Sequence, residues 1–163
     1  MYKKIAFTVA SFLGSGYFPF ASGTFGSLVT IPIVGYLGYC YGLMGVAFIS
    51  IFSFIIGWIA SVEVLKHTKH DPSFIVIDEV AGQSISFIIL APLMKDNAQI
   101  FLVLLVGFIL FRIFDIIKPF PVGWADKKIN NALGVMLDDV FAGCYAAVIL
   151  WLINYNFNLF IGM

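Results

Sequence analysis

Apolar residues run along this chain in long blocks, and polar residues gather at the joints between them. Residues 28–62 contain no charged side chain at all. One helix of that length would measure about 52 Å, against a bilayer core of about 30 Å. Two spans joined near Tyr39-Cys40-Tyr41-Gly42 fit better, with Pro32 in the first turns of the first. Residues 74–94, 98–117 and 133–155 form three further apolar blocks. Between them lie a polar joint with Lys66, His67, Lys69 and His70, the short connection Lys95-Asp96-Asn97, and residues 118–131. The last joint opens on Lys118-Pro119-Phe120-Pro121, which stops a helix because a residue before proline leaves the helical region, and residues 122–131 suit a short amphipathic helix.

Two pieces near the N-terminus do not fit the spanning pattern. Residues 5–13 follow Lys3-Lys4 and are too few to cross a bilayer, which takes about 20; they read as an interfacial or re-entrant segment rather than a cleaved signal. Residues 14–27, GSGYFPFASGTFGS, hold four Gly, three Ser, one Thr and one Pro, a loop by composition. The prediction is one all-α domain over residues 1–163. It is a polytopic integral membrane protein with about five transmembrane helices plus the N-terminal segment.

Composition supports this class. The chain is 61% hydrophobic and 11% charged, where soluble domains carry about 25% charge. Nine basic and nine acidic residues cancel, leaving no field to attract nucleic acid. Cys40 and Cys144 lack metal-ligand spacing and are expected as small buried hydrophobes. With the N-terminus in the cytoplasm, five crossings put Lys3, Lys4, Lys66, Lys69, Arg112, Lys118, Lys127 and Lys128 on the cytoplasmic side and only Lys95 outside, as the positive-inside rule favours.

Four carboxylates interrupt the apolar blocks. Asp78 and Glu79 lie in FIVIDEVAG, and Asp138 and Asp139 in GVMLDDVFAG. Burying ionised carboxylates without a partner costs several kcal/mol or more, and a hard divalent cation is the partner that takes oxygen ligands. Capping of helix N-termini, where the dipole favours acids, is the competing explanation. Two similar pairs predicted at one membrane face weigh against it, because ionisable residues within membrane segments are functional by default. Gly82 and Gly143 follow one turn later, where a second helix or a ligand could come close.

Arg112, Asp115 and Lys118 in RIFDIIKPFP spread over about a third of a helix circumference. Arginine grips phosphate through a planar fork and lysine adds a point charge; snorkelling of basic residues towards head groups does not explain the acid among them. The Gly-rich segment, Gly23 included, could cradle phosphate through backbone N–H groups, with hydroxyls from Thr24 and Ser27 as added donors. His67 and His70 read as exposed joint residues, with acid–base work as a weaker option. Cys-x5-Arg, Asp-x-Asp and Ser-Gly-His are absent from the sequence, as is the paired-aspartate signature of CDP-alcohol phosphotransferases. A small ion or solute transporter is the alternative class. Acids placed at one membrane face, and the lack of duplicated halves, argue against it.

GSGYFPFASGTFGS, DPSFIVIDEVAG, RIFDIIKPFPVGWADK and GVMLDDVFAG, in this order, resemble the phosphatidylglycerophosphatase A family. One departure is Ala21-Ser22-Gly23-Thr24, where that family usually has Ala-Pro-Gly-Thr. The resemblance implies a Mg²⁺-dependent phosphatase of bacterial inner membranes that turns phosphatidylglycerophosphate, its phospholipid substrate, into phosphatidylglycerol and phosphate. Together with the residues, it leads to a concrete expectation. One or two Mg²⁺ ions are held by some of Asp78, Glu79, Asp138 and Asp139, with Asp115 and Asp71 as lesser candidates. Gly23, Thr24, Ser27, Arg112 and Lys118 bind phosphate, on the cytoplasmic face.

Overall fold

The computed structural model describes residues 2–68, 72–94 and 97–157. The expectations placed on Lys69, His70, Asp71 and Lys95 lie outside them. The described residues are all-helical: α1 Tyr2–Ala10, α2 Ser22–Tyr41, α3 Leu43–Leu65, α4 Ile77–Ile85, α5 Asn97–Ile117, α6 Val122–Lys128 and α7 Ala132–Phe157. Four stretches are long and apolar enough to cross a membrane: Ser22–Tyr41, Leu43–Leu65, Ile100–Ile117 and Ala132–Phe157. The chain is a polytopic all-α membrane protein.

The uncharged block of residues 28–62 folds as two helices, as its length requires. They turn at Gly42, whose φ of 57° and ψ of −135° suit glycine. The first helix starts earlier than composition suggests. Only residues 14–21 of the Gly-rich segment lie outside α2, and Ser22–Ser27 are its opening turns. Pro32 therefore sits well inside α2, on an exposed position.

The third apolar block departs further from expectation. It is the nine-residue α4, then turns, then a 3₁₀ turn at Ala91–Leu93. Ser84 and Ser86 donate to the carbonyls of Val80 and Gly82, four residues back, at 2.6 and 3.2 Å; such bonds compete with the helical ladder, and Pro92 removes another donor. The segment still runs the length of the bundle. Ile77 packs where Gly57 of α3 leaves room, and Met94 packs where Gly38 of α2 does. Phe87, Leu90, Ala91 and Met94 are buried against Val34 and Val46, so irregular backbone is shielded from lipid by protein.

α1 runs alongside α3. Tyr2 lies beside Trp58 and Lys66 at the end of α3, while Phe12 and Leu13 reach Ile49 and Phe52 nearer its middle. The chain then returns, and Phe7 and Tyr17 both stack on Phe74, with centroids 5.5 and 5.3 Å apart. Cys40 and Cys144 are exposed, contrary to the expectation of burial. The outer surface of a bilayer protein is itself apolar, so an apolar run does not imply an interior.

Candidate active site

One end of the bundle opens into a cavity of about 370 Å³. Both acidic pairs line it, together with Ser22 and Gly23 at the start of α2, Arg112 and Asp115 of α5, Lys118 just beyond α5, and Asp126 of α6. Sequence positions from 21 to 139 thus meet at one point.

Different local devices deliver the two pairs. Asp78 and Glu79 occupy the first turn of α4, where the helix dipole favours acids, and Asp78 Oδ1 accepts the Glu79 N–H at 2.9 Å. Asp138 and Asp139 stand in the second turn of α7, beyond the reach of capping. A glycine crossing brings the helices together. A Cβ on Gly82 would collide with the Asp139 carbonyl, and one on Gly143 would collide with the Gly82 carbonyl. The glycines one turn beyond each pair therefore serve helix approach.

The glycines of α2 admit Glu79. A Cβ on Gly26 would lie 3.0 Å from Glu79 Oε2, and one on Gly23 would overlap Oε1. Of the predicted phosphate-binding residues of this segment, Gly23 lines the cavity. Thr24 is half-buried in the first turn of α2, outside the lining, and Ser27 is fully buried. Ser27 meets Arg112 instead, accepting from Nη1 at 3.4 Å.

Among the described residues, charge in the cavity is unbalanced. Arg112 Nη1 lies 2.8 Å from Asp115 and 3.6 Å from Glu79. Lys118 Nζ lies 2.6 Å from Asp126 and 2.9 Å from Asp138. Desolvation of the half-buried Lys118 opposes its charge, but the hydrogen bonds to Asp126 and Asp138 outweigh it and raise the pKa above lysine's ordinary value. Lys118 is therefore charged throughout the neutral range, and its own contribution, present below the unfolded pKa of about 10.4, is lost only as pH rises through the higher folded value. Six carboxylates, Asp78, Glu79, Asp115, Asp126, Asp138 and Asp139, face these two cations. Asp139 is 4% exposed and, among the described residues, in no ion pair. Glu79 Oε2 is buried and, among the described residues, has no hydrogen-bond partner. A divalent cation fits this surplus. Among the described residues, however, no group of three or more His, Cys, Asp or Glu side chains is arranged to hold a metal ion.

Asp126, Ser22 and Ser73 also line the cavity, and the sequence reading assigned none of them. Ser22 Oγ donates to the Ser73 carbonyl, closing one wall. Asp126 follows a proline turn on a short polar helix, and only its position after Lys118 hinted at a partner. His67 stands apart from the cavity, 3.3 Å from Glu63.

The family model for phosphatidylglycerophosphatase A matches residues 8–154. A phosphatidylglycerophosphatase A of Haemophilus influenzae is 38% identical over 146 residues, covering 87% of this chain and 84% of the relative. One from Escherichia coli K12 is 32% identical over 160 residues, covering 90% and 81%. A third relative, from Bacteroides thetaiotaomicron, is 34% identical over 145 residues, covering 84% and 86%, and is named for phosphatidylinositol-3-phosphatase activity. No solved structure matches the chain.

Proposed function

The chain belongs to the phosphatidylglycerophosphatase A family, and from this premise we propose that it hydrolyses phosphatidylglycerophosphate to phosphatidylglycerol and phosphate, with Mg²⁺, at the cytoplasmic face of a bacterial inner membrane. One observation carries the reading. Two acidic pairs some sixty residues apart converge with Arg112 and Lys118 on a single cavity at the end of an apolar bundle. All seven described basic residues belong to that end or to α1 and α6 beside it, which supports the cytoplasmic placement through the positive-inside rule.

Asp78, Glu79, Asp138 and Asp139 would hold the metal, which when bound polarises phosphoryl oxygens and lowers the pKa of water. The chain's own groups do the rest. Arg112, flanked by Asp115, Glu79 and Ser27, presents its fork to the phosphoryl group, where charge develops in the transition state. Lys118 adds a second positive charge. A carboxylate of the cluster takes the proton of the attacking water, a P–O bond forms as the ester P–O bond breaks, and the same group, now a carboxylic acid, returns the proton to the departing glycerol oxygen. The acyl chains remain in the bilayer throughout.

The test is phosphate release from vesicles carrying phosphatidylglycerophosphate, with Mg²⁺ or with a chelator. Release that requires the metal and exceeds release from phosphatidylinositol 3-phosphate is expected. No release under either condition would favour the transporter class, and faster release from the phosphoinositide would reassign the substrate.

A further inference from the structure

Lys118 is held at both ends of its reach, and only one end belongs to the acidic pairs. Asp138 stands on α7, whereas Asp126 stands on α6, on a strap that folds back from α5. Several features fix that strap. Lys118 itself takes the left-handed conformation at φ 49°, which ends α5 and aims the chain back on itself. Gly123 lies so close that a Cβ would stand 2.6 Å from the Lys118 carbonyl oxygen. Tyr145 of α7 donates to the Phe120 carbonyl at 2.7 Å and stacks on Phe114 at 5.3 Å. Val122 and Ala125 are wholly buried. The backbone around Lys118 is thus pinned to α7, and Asp126 projects from this fixed support into the cavity.

An ammonium group has three donors. Two are engaged here, by Asp126 at 2.6 Å and Asp138 at 2.9 Å. We propose that Asp126 is a positioning residue for the phosphatase reaction, holding the Lys118 ammonium in the cavity so that its remaining N–H meets a phosphoryl oxygen. The proposal rests on the function given above. Asp126 suits the task because it stands on α6, apart from the two pairs assigned to the metal. Lys118 keeps its place through Asp126 whichever way the Asp138 carboxylate turns. Without Asp126, the long lysine side chain would swing between Asp138 and solvent, and phosphate would meet it only part of the time.

A double-variant cycle isolates this role. Asp126→Ala, Lys118→Met and the double variant are compared with wild type for kcat and KM on phosphatidylglycerophosphate vesicles. Thermal unfolding is followed with and without inorganic phosphate. Asp126→Ala is expected to lower kcat/KM about 10- to 100-fold, the worth of a hydrogen bond to a charged group. In the Lys118→Met background the same change should cost less than about twofold, since coupled residues are not additive. Asp126→Glu should recover part of the loss. Inorganic phosphate should raise the unfolding midpoint of wild type and fail to do so in Asp126→Ala. Equal losses in both backgrounds would show that Asp126 acts independently of Lys118 and overturn the proposal. So would an Asp126→Ala enzyme with wild-type kcat/KM. If Asp126→Ala does not fold, Asp126→Asn gives the same reading, because it keeps the shape and removes the charge. A wild type that releases no phosphate would sink the assigned function instead, a result distinct from either of these.

Discussion

The acidic pairs of α4 and α7 look alike in sequence and stand in different settings. Asp78 and Glu79 open a short helix, and Asp138 and Asp139 lie in the second turn of a long one. Each pair nonetheless forms half of a matched arrangement. In the α4 half, Arg112 ties Glu79 to Asp115. In the α7 half, Lys118 ties Asp138 to Asp126. Each half therefore contributes one cation and three carboxylates, and Gly82 meets Gly143 where they join. A helix dipole accounts for acids in the α4 half but not in the α7 half. Under the proposed function, a divalent cation shared between the halves would relieve the combined surplus of negative charge.

The comparison breaks most decisively at the acids. Asp139→Asn and Asp78→Asn should each lower phosphate release by about 100- to 1,000-fold, as loss of a group that directly stabilises the transition state does. Without metal, Asp139→Asn should unfold at the same temperature as wild type or higher, because it removes a buried carboxylate that has no ion-pair partner among the described residues. Full activity in both variants would remove the shared site. The next effect separates the two cations. Arg112→Lys should cost about 10- to 100-fold in kcat/KM, because an ammonium cannot serve Asp115, Glu79 and Ser27 in one plane and still grip phosphate; an unchanged rate would make the α4 cation a mere point charge. Gly143→Ala then tests the join. It should destabilise the protein by about 1–3 kcal/mol, the range for overpacking, and weaken activity by moving one half relative to the other. A stable, fully active variant would show that the crossing does not set the site. Glu63→Gln, which breaks the exposed contacts to Lys66 and His67 outside the cavity, should change activity by less than about twofold.

Much of this site was legible in the sequence because charge is so rare in it. Asp78, Glu79, Arg112, Asp115, Lys118, Asp138 and Asp139 stood out against apolar surroundings, and all seven line the cavity. The glycines one turn beyond the acids also announced a close helix approach. Legibility failed where a residue's neighbours came from distant segments. Residues 74–94 carried the hydropathy of a full span, and hydropathy does not register serine back-bonding or interior shielding, so the break after Ile85 went unseen. Gly-rich composition marked residues 14–27 as loop, although Gly23 and Gly26 are helical and small because Glu79 packs on them. Asp126 sat in a polar joint where one more acid raised no question, and only the folded strap brings it to Lys118.

The central claim is that both pairs serve one divalent centre. Binding of Mn²⁺, as a paramagnetic stand-in for Mg²⁺, measured by electron paramagnetic resonance on wild type, Asp78→Asn and Asp139→Asn without lipid, tests it most directly. Loss of the same tightly bound Mn²⁺ in both variants is predicted. Tight binding that survives either change, or two independent sites each lost with only one pair, would contradict it.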